Sequence, residues 1–456
     1  MNDDRRSRSC SRFAPLSRCL AVVAGLASGS PVLAQQAQAA PADTLTLRRA
    51  VELALERAPQ LAATRAAREE GDASARIAED AFHPSVWVST TPGYSTGLPV
   101  AVAGSVPSYG AVEIRQTIYD PWKKNESLQA QALAADLEGA LESGCAETVR
   151  TAVTAYAKAW TDERQAEAAR HGLSAAEAAL ERVVALFGEG RRAEIDVDRA
   201  KLRVARARQK LLNAESDRDL DGLELKRLIG WPGNAPLRLS NDSEGALAAV
   251  DSAENLAAAR AADPQLKALG RQIELLGRSA RLSSKRWPVI EAAAQYQRLP
   301  SYYSKYYNSF NENAFSFGVS FAVPVWAGGR LDDTEARAKA SVARVEAELQ
   351  ARESDLEVAV RRAEAGVARS EAEASLARRA RGITQQEVGA AELLLREGRG
   401  EAGELDERRL AASNADEDVA ATSLRALEDR VKLLALRGEL ARTILGSEPS
   451  CVAPVP

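Results

Sequence analysis

Between residues 313 and 325 large apolar side chains alternate with small or polar ones. Phe315, Phe317, Val319, Phe321, Val323 and Val325 fall on one side, Ser316, Gly318, Ser320, Ala322 and Pro324 on the other. A period of two predicts a strand with one greasy face. Three further stretches, 85–94, 109–119 and 289–297, also read as strands. In 109–119, Val112, Ile114 and Ile118 alternate with Glu113, Arg115 and Thr117, so the second face is wet. Most of the remainder reads as helix. No proline falls between Pro121 and Pro232 or between Pro324 and Pro449, and Ala, Leu, Glu and Arg dominate both runs. Lys123 to Phe187 alone predicts a helix of about 65 residues, close to 100 Å. Such a helix outruns any globular core and is stable only when packed laterally, and its many alanines imply close neighbours.

The same order of landmarks occurs twice, about 205 residues apart. APQL (58–61) returns as DPQL (263–266), and Pro84 returns as Pro288. The strand-to-helix corner TIYDPWKKN (117–125) is matched by PVWAGGRLD (324–332). The break FGEGRRAEIDVD (187–198) is matched by REGRGEAGELD (396–406), and Leu228-Ile229-Gly230 by Leu436-Arg437-Gly438. The chain is therefore read as a duplicated helix-strand-strand-helix unit, mainly α. Its expected parts are a first repeat (45–232), a linker (233–250), a second repeat (251–446) and a tail (447–456).

Composition sharpens this picture. Of 22 aromatic residues, 17 lie in the windows 82–122 and 287–326, a segregation for which a coiled-coil rod has no use. Strands of about ten residues with outward aromatic and β-branched side chains suit a transmembrane β-barrel. Four strands cannot close one, and an open edge in lipid leaves backbone groups unpaired. Three copies would supply twelve strands, with the long helices continuing the barrel beyond the membrane.

The 60 basic and 64 acidic residues are interspersed, which leaves no nucleic-acid footprint. Residues 1–34 read as a signal peptide: Arg5, Arg6, Arg8, Arg12 and Arg18, then CLAVVAGLA, then small residues up to Ala34. Cys19 opens the apolar run instead of following it, which argues against a lipid-modified cysteine. The expected cleavage leaves Cys145 and Cys451. Cys145 lies 43 residues before Gly188, about 65 Å up the long helix, and a final helix from Glu404 to Gly446 climbs about 63 Å. Similar heights permit a disulfide, but azimuth decides it, so free thiols remain the alternative.

These features resemble the outer-membrane efflux (TolC) family over residues 45–446. The resemblance is carried by TLTLRRAVELALERAPQLAATRA (44–66), VPVWAGGR (323–330), GRRAEIDVDRA (190–200) and GRGEAGELDERRL (398–410). It implies a homotrimer with a 12-stranded barrel in outer-membrane lipid and a periplasmic α-barrel. It also implies a periplasmic adaptor (membrane fusion) protein and an inner-membrane ABC transporter or proton-driven pump as partners. Asp120-Pro121-Trp122 stands where the family usually has a glycine pair, which leaves that turn's type open.

By this resemblance the periplasmic end closes through helix tips bearing carboxylates. Six residues past the tip glycines stand Asp196 and Glu404, with Asp406 and Glu407 following. Three copies would bring like charges together in a narrow mouth, favouring cations. Acids in a first helical turn also cap N–H groups, the preferred reading for Asp196, whereas the gate is preferred for Glu404 and Glu407. Arg191, Arg192 and Arg399 are latch candidates, with solvated surface arginine as the plainer reading. Trp87, Tyr94, Tyr109, Trp122, Tyr296 and Trp326 are candidates for an interfacial girdle.

GRGEAG (398–403) fits a dinucleotide fingerprint only formally, since it follows helix. His83 and His171 are isolated, and neither a metal nor a catalytic cluster can be read. The expectation is a passive outer-membrane exit channel with no cofactor and no enzymatic activity. Type I protein secretion is favoured over small-molecule or metal efflux. A secreted helical coiled-coil protein without a pore is the alternative of another class.

Overall fold

Helix formation begins at Thr46, whose hydroxyl accepts the Arg49 N–H, and the helices are then punctuated by proline and glycine. The structure, a computed structural model, describes residues 44–92, 108–240, 255–283, 287–299, 311–324, 329–447 and 451. The expected signal peptide (1–34), Tyr94, Trp326, most of the 233–250 linker and most of the 447–456 tail lie outside the described residues.

In the first repeat α1 (Leu47–Arg57) and α2 (Pro59–Asp80) lead to β1 (Ser85–Thr91) and β2 (Ser108–Tyr119), then to α3 (Pro121–Gly188) and α4 (Glu194–Leu228). The second repeat follows with α5 (Asn255–Ala262), α6 (Pro264–Ser283), β3 (Val289–Arg298), β4 (Asn313–Ala322), α7 (Arg330–Arg396) and α8 (Ala402–Leu436). A short α9 (Leu440–Leu445) ends it. The helix expected to climb unbroken from Glu404 to Gly446 is thus interrupted at Gly438. Among the described residues no helix is long and apolar enough to cross a membrane.

Four helix ends share one device. Gly190, Gly230, Gly398 and Gly438 have φ of 74°, 62°, 71° and 70°, a conformation costly for side chains with a Cβ. At each, two backbone bonds close the last turn: Gly190 N–H to Phe187 and Arg191 N–H to Leu186, and likewise Gly398 to Leu395 and Arg399 to Leu394. The duplication that the sequence suggests is therefore mirrored in backbone geometry.

The open question at the first strand-to-helix corner is answered by Asp120 and Pro121. The Asp120 carboxylate accepts the N–H groups of Trp122 and Lys123 at 2.8 and 3.3 Å. Pro121 occupies the first turn, where its missing N–H costs nothing. A capped proline start replaces a glycine turn.

The strands form one antiparallel sheet in the order β1-β2-β3-β4, with β1 and β4 at its edges. Register sorts the side chains into two faces. Val86, Ile114, Ala294 and Phe317 line up on one, as do Val88, Val112, Tyr296 and Phe315. The other carries the row Trp87, Glu113, Gln295 and Ser316, with Arg115, Glu291 and Ser320 nearby. Thr117 pairs with Glu291 and Tyr119 with Ile290, so Ile118 is the extra residue of a bulge.

This register corrects the girdle assignment of one aromatic. Trp87 is on the polar face opposite Glu113, its indole N–H donating to Ser85 Oγ at 3.2 Å. In SVWVS three consecutive large residues hide the alternation, and only the pairing with β2 reveals which side Trp87 takes. Tyr296 does lie on the apolar face, its hydroxyl donating to Asn313 Oδ1 at 2.8 Å.

The main core sits halfway along α3. Leu47, Val51 and Ala54 of α1 meet Val149, Val153 and Tyr156 of α3, Leu225 and Ile229 near the end of α4, Val431 and Leu434 of α8, and Ile444 of α9. Tyr156 is fully buried. Its hydroxyl lies 2.8 Å from the Leu45 carbonyl and 2.9 Å from that of Ser240, and it accepts the Ser240 N–H at 3.1 Å. It thus pins the bridge between Leu45 and Leu239 to the long helix. Elsewhere helices approach closely: a Cβ on Gly139 would stand 2.5 Å from Ala268 Cβ and 3.2 Å from the Pro264 carbonyl oxygen.

Each repeat ties its first kink to its long helix by different chemistry. In the second, the buried Asp263 caps α6 through Gln265 and Leu266 N–H and holds Arg352 of α7 at 2.7 Å. In the first, Ala58 stands at the kink in an apolar cluster with Leu61, Leu141 and Cys145. There Cys145 is bonded to Cys451, with Cα atoms 6.3 Å apart and a sequence separation of 306. Arg65 adds bonds to the carbonyls of Cys451 and Leu55 at 3.1 and 2.9 Å.

The size of this loop makes the cross-link worth about 5 kcal/mol on chain-entropy grounds. Replacing both cysteines by alanine should lower stability by about 3–5 kcal/mol, measured as unfolding free energy. Free-thiol titration of the unfolded, unreduced protein should find neither Cys145 nor Cys451 reactive; two thiols from these positions would contradict the bond.

Candidate functional site

At the ends of α3 and α7, about 100 Å from the sheet at 1.5 Å per residue, two tight turns expose the residues singled out as gate and latch. The first is Glu189 to Ala193, the second Glu397 to Glu401. Each turn is dictated locally by its positive-φ glycine, and each is followed by a helix with acids in its first turn.

Asp196 acts as a cap. Its carboxylate accepts the Ala193 N–H at 3.3 Å and lies 3.8 Å from Arg199 and 4.0 Å from Arg192. Glu404 lies 3.7 Å from Arg408, one turn on in the same helix. Arg191 and Arg399 pair within their own turns, with Glu189 at 3.4 Å and Glu397 at 3.7 Å. Arg192 reaches across to Glu401 at 3.9 Å.

The stronger contacts join the repeats through residues that the sequence does not advertise. Arg182 of α3 donates to Asp406 of α8 at 2.6 Å, and that carboxylate is only 17% exposed. Arg203 of α4 stands 3.5 Å from Glu407, whose side chain is 69% exposed. Further from the tip, Lys210 pairs with Glu417. In these three inter-repeat pairs, as in Arg192–Glu401, the cation belongs to the first repeat and the carboxylate to the second. The acids expected to repel one another at the mouth are therefore largely compensated within one chain. No local motif marks Arg182 or Arg203, because their role depends on α8 lying against α3 and within side-chain reach of α4.

Within each hairpin other pairs hold the two helices side by side. Arg170 binds Glu215 at 2.8 Å in the first, while Arg381 binds Asp416 at 2.6 Å and Arg408 binds Glu387 at 2.9 Å in the second. Breaking the inter-repeat seam would thus let the hairpins part as units. Among the described residues no group of three or more His, Cys, Asp or Glu is arranged to hold a metal ion.

The polar face of the sheet is a second chemical surface. Arg115 binds Glu113 at 2.6 Å, and Lys123 donates to Thr117 at 2.7 Å while lying 3.7 Å from Glu291. These charges share a face and pair with each other, as a water-facing lumen wall requires.

Comparison with known proteins accounts for this architecture. The model of the family described as outer membrane efflux protein matches residues 50–231. No curated protein sequence matches. Among solved structures, the chain is similar to the transmembrane channel protein CusC at 14% identity and a TM-score of 0.72, covering 86% of this chain and 92% of that one. The outer membrane protein VceC of Vibrio cholerae is 16% identical with a TM-score of 0.67, covering 86% and 96%. The CmeC outer membrane channel of Campylobacter jejuni is 14% identical with a TM-score of 0.68, covering 86% and 85%. At such identities these likenesses establish the fold, helical with a membrane β-barrel part. The chain therefore resembles the outer membrane efflux protein family in sequence over residues 50–231 and outer-membrane channels in fold over most of its length.

Proposed function

We propose that this chain forms the exit duct of a tripartite export system, closed at its periplasmic end by the inter-repeat seam. Three copies pair β4 of one with β1 of the next, which satisfies the edge backbone groups that lipid would leave bare. A periplasmic adaptor and an inner-membrane pump supply the energy. The observation that carries the reading is the division of labour along the molecule. A sheet with one apolar and one charged face stands at one end, and a salt-bridged pair of helix tips at the other.

As cargo route we propose type I protein secretion, a reading supported by the place of Cys19 at the start of the apolar run and not behind it. Small-molecule or metal efflux is the competing outcome. Deleting the gene and assaying both the secreted proteins and the drug and metal tolerance of the cell distinguishes them. Loss of a secreted protein supports the first, and sensitivity alone supports the second.

Two measurements test the duct itself. A cysteine placed at Trp87 should react with a water-soluble maleimide in intact outer membranes, while one at Val88 should be protected by lipid; equal labelling of both would contradict the assigned faces. Arg182→Ala with Arg203→Ala should remove about 1–2 kcal/mol from the closed state and raise the open fraction in planar bilayers about five- to thirtyfold. Glu404→Gln with Glu407→Gln should weaken cation preference and, because Glu407 pairs with Arg203, give a smaller rise of the same sign. Conductance unchanged in the arginine variant would show that the tips are not held by the seam.

A further inference from the structure

Six residues beyond Tyr156, about 9 Å towards the tip, α3 carries an acid that neither duct nor gate requires. Asp162 is only 7% exposed. Its Oδ2 is sealed from solvent and has no hydrogen-bond partner. An isolated buried carboxylate of this kind is strongly disfavoured.

Its surroundings make the charged form harder still to keep. From α4, Asp221 stands within hydrogen-bonding reach, and Asp217 adds negative charge. The cation that acts on it among the described residues, Lys158 one turn back on α3, is already engaged with Asp221 at 3.0 Å. Lys158 also feels Glu224 of α4, and Glu428 of α8 feels Lys158, with Asp429 and Arg425 beside it. One lysine thus serves acids on three helices.

A buried carboxyl oxygen without a partner, beside a second carboxylate, gains one by placing a proton between the two. We propose that Asp162 and Asp221 hold a single shared proton, and that its release to solvent loosens the junction of α3, α4 and α8, making this a pH-sensitive joint beside the belt. The neutral acid donates from Asp162 to Asp221, while Lys158 balances the remaining charge. Once the proton leaves, two adjacent carboxylates compete for one ammonium group.

The direction of the effect follows from burial and from the neighbouring acid. Both push Asp162 up from its ordinary 3.8 to about 7. The hydrogen bond from Asp162 and the Lys158 ammonium hold Asp221 below the usual range. The folded chain therefore keeps a proton that the unfolded chain releases near 3.8. Stability from Asp162 is fully present below that value and is lost as pH rises towards 7, by up to about tenfold in the folding equilibrium per pH unit. The contribution of Asp221 is lost only in more acid solution, so the two windows do not overlap.

The experiment uses the full-length channel in detergent. Infrared difference spectra of the wild-type protein should show a protonated-carboxyl band that disappears as pH is raised through about 7. Asp162→Asn should lack that band and show a flatter dependence of thermal midpoint on pH between about 4 and 7. Asp221→Asn, which removes the neighbouring negative charge but leaves Asp162, should move the band's disappearance to lower pH. Absence of the band from the wild type at pH 6, or wild-type and Asp162→Asn profiles of equal slope, would overturn the proposal. So would a band that Asp221→Asn leaves in place.

Discussion

Backbone groups at the edge of a sheet cannot remain unpaired in hydrocarbon, where each costs several kcal/mol. Here one chain supplies four strands, and β1 and β4 each have only one neighbour. The division of side chains into an apolar and a charged face gains its meaning from that shortage. So does the demand for further copies. The helices then continue a wall that the strands begin: Asp120 and Pro121 turn β2 directly into α3, and Gly329 starts α7 close behind β4.

A wall made of helices about 100 Å long has no natural centre, and the belt provides one. Tyr156 at mid-helix ties the entering chain at Leu45 to the segment at Ser240, and the aliphatic residues around it join α1, α3, α4, α8 and α9. Beyond this level, small residues and ion pairs carry the packing, as Gly139 against Ala268 and Arg170 against Glu215 show. The second repeat keeps the architecture but has a smaller apolar cluster around Ala259, Leu356 and Val360. Where the first repeat uses Cys145 and Cys451, the second uses Asp263 and Arg352. The first bond ties the C-terminal tail to α3 beside the kink at Ala58, and the second fastens the kink at Asp263 to α7 by a buried charge-assisted bond.

Duplication also creates a recognition problem, because two similar hairpins could pair with their own kind. The inter-repeat seam counters this by polarity. Arg182, Arg192, Arg203 and Lys210 face Asp406, Glu401, Glu407 and Glu417. First-repeat hairpins brought together would set cation against cation, so the arrangement favours unlike neighbours. The pairs are mostly solvated and individually weak.

The periodicities written along the chain determined the element order, the duplication and the strand positions, because alternation, proline spacing and glycine stops act within a few residues of themselves. Gly190 and Gly398 announced the tips, and Val112, Glu113 and Ile114 announced a strand with two unlike faces. Side-chain roles that depend on which helix lies beside which were not legible. Arg182 and Arg203 carry no local mark, Asp162 reads as one more helical acid, and Trp87 between two valines looks lipid-facing until β2 is laid against it. The height of Cys145 and Cys451 could be counted from helical rise, but their azimuth could not. Local patterns fix a residue's position along its own element, whereas azimuth and partnership arise only when separate elements pack, and that is what the tertiary structure decided.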